Sequence, residues 1–114
     1  MNVYDKSHEL ARALRESEEN RELKKIRSIV CSNEKNKELI RDFKTKQFEI
    51  QAEQLAGKEP DKVKIEQIQN LYGILTANPE IGKYFEAEYK FERLISDIYK
   101  ILGEAIDIEN DLIK

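Results

Sequence analysis

The sequence predicts an all-α fold of about five helices, and three observations predict it. Only four glycines and two prolines interrupt 114 residues, so long stretches carry no helix breaker. Charged residues make up 38% of the chain, the mix expected of helices with solvated outer faces. Apolar residues return every three or four positions, the helical period, and do not alternate as they would in strands.

The first helix is expected from about Val3 to Ser17, with Tyr4, Leu10, Ala11 and Leu14 on one face. Ser17 followed by Glu18 and Glu19 reads as an N-cap with acids in the first turn. In the second helix that starts there, Leu23, Ile26 and Val30 recur at i, i+3 and i+7, and Cys31-Ser32-Asn33 ends the pattern. A third, long helix is expected over about 33–56. It carries a Leu39/Phe43/Ile50 stripe and a neighbouring Phe48/Ala52/Leu55 stripe, and Gly57 is placed to close it. Lys58-Glu59-Pro60 forms the next turn. Asp61 then caps a fourth helix built on Ile65, Ile68, Tyr72 and Leu75. Asn78-Pro79-Glu80 combines a cap residue, a proline at the first helical position and an acid, so a fifth helix begins there and runs over about 79–106.

The fifth helix is the most informative segment. Tyr84, Phe91, Ile98 and Ala105 fall seven apart, Ala87, Leu94 and Ile101 interleave, and Ile95 and Leu102 widen the same face. At ~100° per residue the apolar positions from Ile101 round to Phe85 cover roughly 200°. Packing against one core needs a stripe only somewhat over ~100° wide. The two long helices are therefore expected to form an antiparallel hairpin or bundle with surplus apolar surface, covered by a second subunit in a homo-oligomer. An antiparallel dimer is the expected form. Its expected interface residues are Tyr84, Phe91, Ile95, Ile98 and Leu102. Glu88 projects into the same arc and requires a cation or hydrogen-bond donor there, which reads as a structural ion pair.

Composition narrows the function. The length fits one domain over residues 1–114, with no linker or low-complexity stretch to divide it. Net charge is −3, too mild for a general nucleic-acid binder. The acidic excess lies in the second half, where Glu104, Asp107, Glu109 and Asp111 crowd the tail, a pattern that ordinarily serves solvation. A single cysteine excludes an internal disulfide framework. The opening MNVYDKSHEL has no apolar h-region, and no apolar run approaches the length of a membrane span, so a cytoplasmic protein is expected.

Catalytic chemistry finds little to work with. His8 and Cys31 are the only residues of their kinds and fall on different helices, which leaves no nucleophile–base pair evident in the sequence. Cys31 at a helix boundary reads as a small residue filling a bend. Paired cysteines, His-x-x-x-His spacing, a twelve-residue calcium loop and Glu-x-x-His pairs are all missing, so no metal is expected. The four glycines are isolated and make no phosphate-cradling loop. The reading is of a protein that is not an enzyme and carries no cofactor.

One basic face stands out. Lys37, Arg41 and Lys44 line up on the third helix, and Arg21, Lys24 and Lys25 cluster on the second; together they could meet a phosphate backbone. Glu22, Glu34, Glu38 and Asp42 are interspersed, and no aromatic residues are interleaved to stack bases. A solvated face is the favoured reading, and RNA binding is the runner-up.

Three stretches carry a family resemblance: MNVYDKSHELARALRESEE at the start, RDFKTKQFEIQAEQLAGKEP in the middle, and ANPEIGKYFEAEYKFERLISDIYKILGEAIDIE at the end. In this order they resemble the YheA-like branch of the YlbF/YmcA family over nearly the whole chain. The resemblance implies an all-helical, oligomer-forming cytosolic protein of low-GC Gram-positive bacteria. Better-known relatives are non-enzymatic regulators of competence, sporulation and biofilm formation, in a complex linked to the endoribonuclease that begins messenger RNA decay. Those relatives hold iron–sulfur clusters through cysteines; this chain has Cys31 alone, so the cluster is not carried over. The function expected is a protein–protein interaction module, a self-associating regulatory adaptor. The alternative is an RNA-binding accessory factor in messenger RNA decay or processing.

Overall fold

The computed structural model describes residues 2–106; Asp107, Glu109 and Asp111 of the acidic tail lie outside them. Among the described residues are five α-helices and no strand: α1 Val3–Glu16, α2 Glu18–Cys31, α3 Glu34–Leu55, α4 Lys62–Thr76 and α5 Pro79–Ala105.

Each boundary has a local cause. Asn2 accepts from the backbone N–H groups of Tyr4 and Asp5 through its side chain and opens α1. The Ser17 hydroxyl accepts from the Asn20 N–H while its carbonyl accepts from the Arg21 N–H, so α2 restarts with only Ser17 between it and α1. Asn33, Asp61 and Asn78 cap α3, α4 and α5 through their side-chain oxygens, at 3.1, 2.9 and 3.0 Å. Each cap satisfies a first-turn N–H that has no partner within the helix. After α3 the chain reverses at Gly57, whose φ of +78° lies in the left-handed region that a side chain disfavours.

The described residues group into two units. One is Lys25–Phe85, which holds the end of α2, all of α3 and α4, and the first two turns of α5. Here α3 and α4 form the closest helix pair. Val30, Ile40, Phe43, Leu75, Ile81 and Tyr84 are its buried side chains. Phe43, Tyr72 and Phe85 form a ring cluster with centroids 5.5 to 5.9 Å apart, all tilted, the range in which aromatic pairs attract. Tyr84 extends it, 5.7 Å from Phe85. The α3–α4 turn is fastened by charge. Lys64 reaches Glu53 at 2.7 Å and Glu49 at 3.7 Å, and the other oxygen of Glu53 accepts from the Asp61 N–H.

The other unit joins the N-terminal segment through Lys24 to the chain from Glu86 onward, and so holds α1, the start of α2 and most of α5. Leu23 and Ala87 are buried in it, and Ala11, Leu14, Phe91, Leu94, Ile95 and Ile98 are half-buried. Glu18, Glu19 and Glu22 of α2 share a shallow depression with Ala87 and Lys90 of α5. No side chain of α1 is buried.

Candidate interaction surfaces

Two surfaces merit description, one on α5 and one on α3. The first is the apolar stripe of α5. It begins covered, with Ile81 only 1% exposed and Tyr84 and Ala87 also buried. Phe91, Leu94, Ile95 and Ile98 are half-buried, and the last turns open out, with Ile101 64% exposed and Leu102 and Ile106 exposed beside it. Tyr84, Phe91, Ile95, Ile98 and Leu102 fall within a narrow arc of the helix, and along that line cover thins from buried Tyr84 to exposed Leu102, while Ile101 lies at the edge of the apolar face. In the same unit α1 carries Val3 and Tyr4 largely exposed at its start.

The five residues expected to face a second subunit therefore have different positions. Leu102 is exposed, and Phe91, Ile95 and Ile98 are half-buried. Tyr84 is enclosed by its own chain: its ring lies against Phe85, and its hydroxyl accepts from the Lys44 ammonium at 2.9 Å. The surface open to a partner is the later part of the stripe. Glu88 is half-buried in α5.

The second surface lies on α3. Lys37, Arg41, Lys44 and Phe48 recur at i, i+4, i+7 and i+11, which places them in one row along the helix. They border a groove of about 440 Å³ with Cys31, Ile40, Thr45 and Tyr84. Ile40 and Tyr84 are buried and supply an apolar floor, Phe48 is exposed, and Lys37 and Arg41 form no ion pair among the described residues. The sequence-predicted basic residues are thus brought together around apolar side chains. Phe48 was read from the sequence as part of a separate stripe. Its place in the row four residues after Lys44 is the signal that could have joined it to them.

His8 is exposed on α1 and Cys31 half-buried at the end of α2, in different units. Among the described residues no group of three or more His, Cys, Asp or Glu side chains is arranged to hold a metal ion. None of the described helices is long and apolar enough to cross a membrane.

Comparison with known proteins follows the same outline. Residues 3–107 match the family described as control of competence regulator ComK, YlbF/YmcA. A UPF0342 protein of Caldicellulosiruptor bescii is 40% identical over 111 residues, 97% of this chain and 93% of that protein. A UPF0342 protein of Symbiobacterium thermophilum is 39% identical over 107 residues, 94% of this chain and 96% of the relative. Among solved structures, a protein of unknown function (DUF964) from Bacillus stearothermophilus superposes with a TM-score of 0.79 over 92% of both chains, at 19% identity. That last likeness is one of fold.

Proposed function

This chain belongs to the YlbF/YmcA family, and on that premise we propose that it is a non-enzymatic helical interaction module, a cytoplasmic regulatory adaptor that associates with a second copy of itself. The observation that carries this reading is the exposure gradient along one line of α5, from buried Tyr84 to exposed Leu102. Leaving that stripe in water forgoes about 25 cal/mol for every Å² of apolar surface that a partner would bury. A symmetric partner offers the same stripe in return, since a two-fold interface pairs one patch with itself. The antiparallel dimer is the simplest closed form. The family description, control of a competence regulator, fits a protein that acts by holding other proteins.

Light scattering or sedimentation of the purified chain tests the reading. The expected mass at roughly tens of micromolar is that of a dimer, falling toward one chain on dilution. A single-chain mass across that range would defeat it.

A further inference from the structure

We infer that the α3 groove between Lys37 and Phe48 receives an acidic amphipathic helix of another protein, one with two carboxylates a helical turn apart and an apolar side chain two turns beyond them. The inference rests on the adaptor reading and names the chemistry of what the adaptor holds; self-association is not needed for it.

The groove lies wholly within the unit Lys25–Phe85. At one end stand two cations. Lys37 is half-buried and Arg41 exposed, and neither forms an ion pair among the described residues. A half-buried ammonium without a counter-ion is partly withdrawn from water and uncompensated, so a carboxylate brought to it gains more than one brought to a fully solvated lysine. Lys44 is already engaged, donating to the Tyr84 hydroxyl at 2.9 Å, and takes no part in attracting the occupant.

Toward the other end the groove turns apolar. Ile40 and Tyr84 are buried beneath it, whereas Phe48 is 70% exposed. An aromatic ring held in water beside an apolar floor is the kind of side chain that anchors protein interfaces. With that ring in solvent, the space of about 440 Å³ is a groove along a helix and not an enclosure that would surround a small molecule.

Spacing sets the form of the occupant. Lys37 and Arg41 are four residues apart, ~6 Å along α3, and Phe48 lies seven residues further, ~10 Å on. A helix laid along α3 has the same rise. It meets the two cations with acids four residues apart and meets Phe48 with Leu, Ile or Phe seven residues from the nearer acid.

The surroundings favour protein over RNA. Glu34 and Glu38 stand three residues before Lys37 and Arg41. A strand with a charge at every nucleotide would lie against these acids as well as the cations, whereas two carboxylates engage two cations and stop.

The test pans the full chain against a phage-displayed library of random peptides about four helical turns long. Winning peptides are then synthesised with a fluorophore and followed by anisotropy. Expected winners carry Asp or Glu four residues apart with an apolar residue seven beyond, and bind more weakly as salt rises. Arg41→Glu should reduce their affinity roughly tenfold or more, and a peptide with both acids changed to Lys should recover binding on the chain carrying Lys37→Glu and Arg41→Glu. Phe48→Ala should weaken binding without altering its salt dependence. Arg41 and Phe48 are exposed, and an unchanged circular dichroism melt verifies folding of both variants. Cys31, the single cysteine, borders the groove, so bound peptide should slow its reaction with a thiol reagent.

Winners without paired acids, binding indifferent to Arg41→Glu, or no winner at all overturns the inference. So does an oligouridine probe that binds through Arg41 where no peptide does. Loss of dimer mass in Arg41→Glu also overturns it, by assigning the groove to a second copy. Sedimentation scores self-association separately. A chain of single mass that binds the peptide upholds the groove and removes the dimer, and a dimer that selects no peptide does the reverse.

Discussion

The Lys44 ammonium donates to the Tyr84 hydroxyl at 2.9 Å and lies 5.2 Å from the centre of the same ring. One lysine thus meets both the polar tip and the π-face of a buried tyrosine, and α3 is tied to the start of α5. Tyr84→Phe removes the hydroxyl acceptor but keeps the ring, and is expected to cost about 0.5–1.5 kcal/mol. Tyr84→Ala also empties the ring's volume and should cost about 3–5 kcal/mol. Urea unfolding of the two variants checks the difference; equal losses would show that the hydroxyl, and not packing, governs the site.

Core and surface leucines should separate sharply. Leu75 is 1% exposed near the end of α4, and Leu55 is 90% exposed at the end of α3. Leu75→Ala is expected to lower stability by about 2–5 kcal/mol through lost transfer energy and the cavity left behind. Leu55→Ala should change it by less than about 0.5 kcal/mol. Chemical denaturation compared at one protein concentration reads both.

These contrasts mark what the sequence made legible. Helix boundaries were readable because a few residues decide them locally. Ser17, Asp61 and Asn78 cap where their side chains predict, and Gly57 takes the positive φ that its position implies. The helical faces were readable too, but periodicity reports which side of a helix is apolar and not whether anything covers it. Phe43 is buried and Phe48 exposed on the same helix, one stripe apart. Tyr84 and Leu102 share a line on α5 and differ in the same way. That distinction is made by helices distant in sequence, so no local pattern carries it. The α3 groove was missed for the same reason: Cys31 and Tyr84 join the basic row only through packing.

The α3–α4 turn should be sensitive to pH at both extremes. Hydrogen bonds from Lys64 and then from the Asp61 N–H hold the Glu53 carboxyl below its usual range. Its contribution is present at neutral pH and is lost as pH falls through that lowered value. Glu53 holds Lys64 above the ordinary lysine range, so the lysine's contribution is intact at neutral pH and disappears as pH rises through the raised value. Unfolding midpoints measured from acid to alkali should form a plateau with two falling limbs. Glu53→Gln should flatten the acid limb; an unaltered limb would place the acid sensitivity elsewhere.

Gly57 isolates a backbone effect. A Cβ built there meets nothing within 4 Å, yet φ is +78°. Gly57→Ala should therefore cost about 1–2 kcal/mol from the left-handed conformation alone, with no steric clash added. Gly73→Ala, equally open but within α4, should stabilise by about 0.5–1 kcal/mol. Opposite signs in the two melts are the expected result, and a loss at both would point to packing around Gly73.

The α5 stripe can be tested at two depths. Leu102 is already exposed, so Leu102→Glu places a charge in water within one chain and buries it only if a partner covers the position. The expected outcome is a fall from dimer to single-chain mass with little change in the melting of the monomer. Phe91 is half-buried in its own unit, so Phe91→Glu loses intrachain packing as well and should lower the melting temperature as it lowers the mass. Measured side by side by sedimentation and circular dichroism, the pair separates assembly from folding. If Leu102→Glu leaves the mass of an assembled chain unchanged, the end of α5 is not the interface, however stable or unstable Phe91→Glu proves to be.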